Sequence, residues 1–358
     1  KRGGEKRSSF AFCFASQESI MKQFETTIDL VGDWQQHVYR WFVSNCGQKW
    51  KFVDKKNKCL ADAVAKNDFF AVSETDRNSL LAYYYNLLHR IVSPCARNLR
   101  APDASVLFAA IPEEKLAGLK AGWTAFEKDV ADGHNLAQRQ SEKRFEIDGK
   151  DVLLDRFKIH HFHLAVKPGK RGDFIAYCFV NADVVKVITL ETHRGFGNVE
   201  VCQSIVEKAY ALYPEEFTSF RIEDSHQTST ANLEEQKKLA WLNINVCFFI
   251  GTARFYPIGM GTMMNGISME SQRWMTRDLR LLRAATSAMG TFANESCDII
   301  GRLIPGSIST LKLFNFNGST VEARTPDESL RMTYDILTNR VTLSGVGHRI
   351  ARKLGALL

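Results

Sequence analysis

No apolar run in this chain approaches the ~18 residues of a membrane-crossing helix, so none is expected and no membrane partner is invoked. The cysteines (Cys13, Cys46, Cys59, Cys95, Cys178, Cys202, Cys247 and Cys297) contain no CxxC pair. Several lie inside apolar patterns, where a free thiol behaves as a small hydrophobe. A reducing cytoplasm is the setting this usage points to. The chain has no H-E-x-x-H, no G-x-S-x-G elbow and no Walker pattern, so three common catalytic frameworks are not indicated. Internal repeats and low-complexity tracts are also missing.

The 358 residues are 45% hydrophobic and 24% charged, an ordinary globular composition with enough length for a real core. Net charge is +7, which suits nucleic acid or another acidic partner. The basic start, Lys1 to Arg7, followed by Phe10 to Ala15, resembles the opening of a signal peptide. Gln17, Glu18 and Lys22 interrupt its apolar part, and a short strand is expected instead. The first residue is not Met, so the true beginning is expected upstream.

The patterns predict an α+β protein in three consecutive regions. Residues 1–104 read as mainly helical, with helices over Gln17 to Asn45 and Thr75 to Ile91. Residues 105–215 read as α+β around a central antiparallel sheet. Ser105 to Ala110 is expected as a short strand, Pro112 to Asp132 as a helix, and Asn135 to Lys150 as a linker or edge. Lys158 to Val166, Asp173 to Val180 and Val184 to Leu190 then form a three-stranded antiparallel meander, followed by a helix over Val199 to Leu212. Residues 216–358 carry a hairpin around Gly251-Thr252, a glycine-rich loop, a long helix from Ser268 and a hairpin at Asn317-Gly318. The capping box Thr325-Pro326-Asp327-Glu328 predicts a helix to about Leu337, and a basic tail follows from Arg340.

The chemistry is expected at His160-His161-Phe162-His163, because histidine titrates nearest neutral pH. Strand alternation puts His160, Phe162 and Leu164 on one face, and His161 and His163 on the other. His193 and Arg194 end the third strand. Three readings stay open. Metal-free cleavage of RNA needs a base, an acid and cations, and His161, His163, His193, Arg171, Arg194 and Tyr177 supply those types. A zinc site could instead use His161, His163 and His193, giving a metal-dependent hydrolase. The third reading is structural, with histidines satisfying local hydrogen bonds. Asp151, Asp155 and Asp173 flank the strand and are able either to orient imidazoles or to bind a metal.

Lys158 to Asn198 resembles the sheet of the RelE/ParE superfamily of bacterial toxins. The matching pieces are the strand Lys158 to Leu164, the Gly172-Asp173 strand through Tyr177, and Val184 to Ile188 leading to His193-Arg194. One branch of that family cleaves mRNA without metal, using basic and aromatic side chains; another acts on gyrase. The resemblance implies a toxin-antitoxin or antiphage-defence protein and matches His193, Arg194 and Tyr177 to its site. RNA would be the partner, with an antitoxin or other protein beside it, and no cofactor.

Further basic and glycine-rich features read either as nucleic-acid contacts or as a solvated loop, a solvated helix face and a plain loop or cap. Lys49-Trp50-Lys51 interleaves cations with an aromatic ring, suited to a phosphate backbone and a base. Arg273, Arg277 and Arg280 follow helical spacing. Gly259, Gly261, Thr262, Gly266 and Ser268 precede a helix and form a candidate phosphate-binding loop. These features also fit a non-catalytic nucleic-acid- or protein-binding component of a larger assembly.

Overall fold

The computed structural model describes residues 28–45, 68–91, 98–109, 111–141, 151–166, 172–181, 183–192, 199–223, 238–239, 242, 244–264, 266–295, 311–316, 319–325 and 330–345. The architecture is α+β. Its helices are α1 (Leu30–Asn45), α2 (Glu74–Ile91), α3 (Ala104–Phe108), α4 (Glu113–Ala131), α5 (Val152–Phe157), α6 (Val199–Leu212) and α7 (Met269–Glu295). The strands are β1 (Asn98–Arg100), β2 (Ile159–His163), β3 (Phe174–Val180), β4 (Val184–Thr192), β5 (Phe248–Ile250), β6 (Ala253–Phe255), β7 (Lys312–Phe316), β8 (Thr320–Arg324), β9 (Leu330–Asp335) and β10 (Arg340–Gly345). None of the described helices is long and apolar enough to cross a membrane.

The chain divides into two compact units, Phe42–Met275 and the pair of segments Lys1–Trp41 with Thr276–Leu358. This division differs from three consecutive regions, because α1 and the late strands share one core.

In the Phe42–Met275 unit the sheet order is β1-β4-β3-β2. The expected meander β2-β3-β4 is antiparallel, and β1 adds to it in parallel beside β4. Both faces of the sheet are covered. Trp123, Phe126 and Val130 of α4 pack on Phe162, Ala176, Cys178 and Val187. Ile205, Val206 and Ala209 of α6, with Phe248 and Phe255, pack on Ile159, Ile175, Tyr177 and Phe179. Each large side chain so buried contributes roughly 1.5–3 kcal/mol. Coverage of both faces explains why β3 reads as a continuous apolar run rather than an alternation.

Two local expectations are corrected here. Ser105 to Ala110 is not a strand: α3 turns there, with the Val106 and Leu107 amides donating to Asp103 O. Its apolar run fits either state by pattern, and packing of Leu107 and Phe108 against the α4 core decides. Within Asn135 to Lys150, expected as a linker or edge, Leu136–Arg139 forms a 3-10 turn that buries Leu136, Ala137 and Arg139; residues 142–150 lie outside the described residues. The Arg139 guanidinium donates to Ala165 O at 2.9 Å, beside the outer edge of β2, while its Nε holds Asp129 at 2.6 Å. Before β2 the chain forms a short helix, α5, which the sequence patterns did not predict, closed by Lys158 in the left-handed region at φ 56°.

The second unit contains an antiparallel meander of order β10-β9-β8-β7. Here the helix expected after Thr325 is replaced by β9; Pro326 to Glu328 lie outside the described residues. Met332 and Tyr334 alternate with Arg331 and Thr333, and pairing to β8 and β10 outweighs the local capping signal. The start of the expected tail is β10, joined by a turn in which Asn339 takes φ 52° and accepts from Tyr334 Oη at 2.8 Å. Leu30, Leu282, Ala285, Met289, Val321, Ala323 and Met332 form the core on one side of this sheet.

Candidate functional site

Helix α5 is too short to be stable on its own sequence, and its first turn is held by two carboxylates. Asp151 Oδ1 accepts the Leu154 amide at 3.1 Å, and Asp155 Oδ2 accepts the Asp151 amide at 3.2 Å. This reciprocal cap leaves one oxygen of each carboxylate for a histidine. Asp151 Oδ2 lies 3.3 Å from His161 Nδ1, and Asp155 Oδ1 lies 3.5 Å from His89 Nε2. The short helix thus presents two His–Asp pairs one turn apart.

The pairs differ in depth. His89 and Asp155 are both buried, and the His89 ring meets Trp274 edge-on at 5.6 Å. Burial pushes the Asp155 carboxyl above its ordinary value, opposed by His89. His161 and Asp151 keep 11% and 17% of their side chains exposed. His160 faces the other side of β2 and stacks on Phe162, with centroids 5.9 Å apart. Burial lowers its pKa to about 4, with Asp151 opposing and His89 and His161 adding to the drop. His160 is therefore a neutral imidazole at pH 7.

Other expected residues fall as follows. Tyr177 lies opposite His161 in the β2–β3 register and is buried, which pushes its phenol up chiefly by desolvation. Cys202 of α6 is pushed up to about 11, mainly by burial. Neither is an ionised nucleophile at neutral pH. His163 is buried opposite Ile175, on the apolar side covered by α6. Asp173 is exposed and lies in neither pair. Arg171, His193, Arg194, Lys49, Trp50 and Lys51 lie outside the described residues. Among the described residues no three His, Cys, Asp or Glu side chains are disposed to hold a metal ion; His193 of the three-histidine set is not among them.

The glycine-rich loop spends its amides inside the protein. Gly259 N donates to Arg156 O, Gly261 N to Asp155 O and Gly266 N to Met263 O. Thr262 N donates to Asn245 Oδ1, and Ser268 N to Asn86 Oδ1. None of these amides is turned outward as a phosphate cradle would require. The loop instead clasps the end of α5. A Cβ at Gly259 would collide with Asp155 O, and Gly261 takes φ 86°, so both positions require glycine. Arg273, Arg277 and Arg280 are exposed on α7, with Arg273 beside Glu270 and Arg277 beside Asp278.

Sequence reasoning missed His89. Its signal was the spacing Asn86, His89, Arg90, which puts three polar groups on one buried face of α2. Comparison with protein families, curated proteins and solved structures gives no match to this chain.

Proposed function

We propose that the protein cleaves RNA by metal-free acid–base chemistry, with His161 as the base and Asp151 as its positioning residue. The observation that carries this reading is the His161 Nδ1–Asp151 Oδ2 approach of 3.3 Å in the more open of the two pairs. The 3.3 Å approach is an ion-pair distance without a formed hydrogen bond; once closed to one, the carboxylate holds the proton on Nδ1 and leaves the lone pair on Nε2. The cluster offers imidazoles and carboxylates, whereas its thiol and phenol are held protonated. Such a set works best on a substrate that brings its own nucleophile, and RNA does so with its 2′-OH.

His161 Nε2 takes the 2′-OH proton as that oxygen attacks the adjacent phosphorus. The P–O5′ bond breaks, leaving a 2′,3′-cyclic phosphate and a 5′-OH that receives a proton from the acid. His160, neutral and buried, does not fill that role. We assign the acid to His193 and the phosphate contact to Arg194, in line with the RelE-like strand end. The RNase branch of that superfamily, and with it a toxin or defence role, belongs to the same proposal.

The test is incubation with labelled RNA, with and without EDTA, beside His161→Ala. EDTA-resistant cleavage that leaves cyclic-phosphate ends and is lost in the variant supports the assignment. A folded protein that cleaves nothing sinks it. The depth of the His89–Asp155 pair favours a second reading, in which the cluster is a structural polar seam of a non-catalytic binding protein.

A further inference from the structure

The β7–β10 sheet has a face turned away from its helical core; among its described residues Lys312 is exposed, Arg331 keeps 35% of its side chain exposed and Arg324 14%. Side chains on that face come from Lys312, Arg324 and Arg331, which are aligned across three strands by the pairs Lys312↔Arg324 and Arg324↔Arg331. The row ends at Ser344, opposite Arg331 on β10. A bulge between Leu313 and Asn315 sets Phe314 on the same face, where it is 53% exposed. The Arg324 guanidinium carbon lies 3.1 Å from the Phe314 ring centroid. Glu322 Oε1 accepts from Arg324 Nε at 2.6 Å and lies within ion-pair distance of Arg331 Nε at 2.7 Å, drawing both guanidinium groups along the row. The other carboxylate of this face, Asp335, accepts the Leu337 and Thr338 amides of the following turn. Arg340 stands opposite Asp335 and is exposed. Thr333 and Thr342 supply hydroxyls between the charged rows.

We infer that this face binds single-stranded nucleic acid, with one base on Phe314 and the backbone along Lys312, Arg324 and Arg331. An exposed aromatic ring on a flat sheet beside a row of cations is the combination that stacks a base and neutralises its phosphates. Among the described residues of this face, four cations stand against two carboxylates, a positive balance. The rigid Arg324–Phe314 stack lowers the ordering cost of a contact, because both groups are already held in place. A duplex hides its base faces and gains only the phosphate contacts, so single strands are preferred.

The inference stands independently of cleavage, and its test separates the two. Fluorescence anisotropy of a labelled short oligoadenylate is measured on the full chain carrying His161→Ala, so that cleavage cannot consume the probe. Phe314→Ala is expected to weaken binding by on the order of tenfold, and Phe314→Tyr to keep it. Lys312→Gln and Arg331→Gln should each weaken binding and reduce its salt dependence by roughly one phosphate contact. Thermal melts show that each variant is folded. Unchanged affinity in folded Phe314→Ala overturns the inference. So does a labelled polyglutamate peptide that binds as tightly as the oligonucleotide.

Discussion

In the sheet of the Phe42–Met275 unit, β3 is buried along all but its last residue, and helices or a hairpin cover both faces. In the other unit, β8 alternates, with Val321 and Ala323 inward and Glu322 and Arg324 outward. A sheet closed on both faces leaves polar chemistry only at its margins, and the His–Asp pairs sit at one, where α5 enters β2. A sheet closed on one face carries its polar groups across the whole opposite surface. The first arrangement suits perturbed protonation and the second suits extended contacts.

The contrast can be sharpened by substitution. His161→Ala should lower RNA cleavage by about 10²–10⁴-fold in single-turnover assays, with little change in thermal stability. A comparable loss of cleavage from Thr333→Ala, on the open sheet, would break the contrast. Phe126→Ala, between α4 and the closed sheet, should cost about 3–5 kcal/mol in denaturant unfolding.

Acidity offers a third probe. The pKa of His160 falls from 6.5 to about 4 on folding, so its contribution is full above pH 6.5 and is lost as pH falls through 4. The total is roughly 3 kcal/mol at this buried site. Asp155, raised by burial, acts in the opposite sense and favours the folded state most below its ordinary range. His160→Phe isolates the histidine, and its unfolding free energy should decline less than that of the parent between pH 6.5 and 4. Equal slopes would rule out a buried neutral imidazole. Thr333→Ala should shift stability by no more than about 0.5 kcal/mol.

Strong local patterns carried much of the architecture. The meander, the helix Val199–Leu212 and the Phe316–Thr320 hairpin were legible because turn residues and β-branched runs agree with the tertiary pairing. The strand at Leu330 was not, because Thr325 to Glu328 is a sound helix start that long-range pairing overrides. Strand β1 is three residues long and lies far in sequence from its partner Val184–Lys186, so no local signal announces it. Within the site, the flanking aspartates were visible as orienting groups. Which histidine each one meets depends on the turn of α5 and on His89, brought in from a helix that reads as ordinary core.

The discontinuous unit also has a history on the ribosome. Asp33 Oδ2 accepts the Leu313 amide across 280 residues, and Leu30 shares a core with Val321 and Met332. At typical elongation rates, α1 waits on the order of tens of seconds for those strands to be synthesised. The closed sheet and its His–Asp pairs come from a continuous stretch of chain and can assemble during that interval. Within this stretch of chain, the part that carries the proposed chemistry is therefore complete before the partner strands of α1 are made.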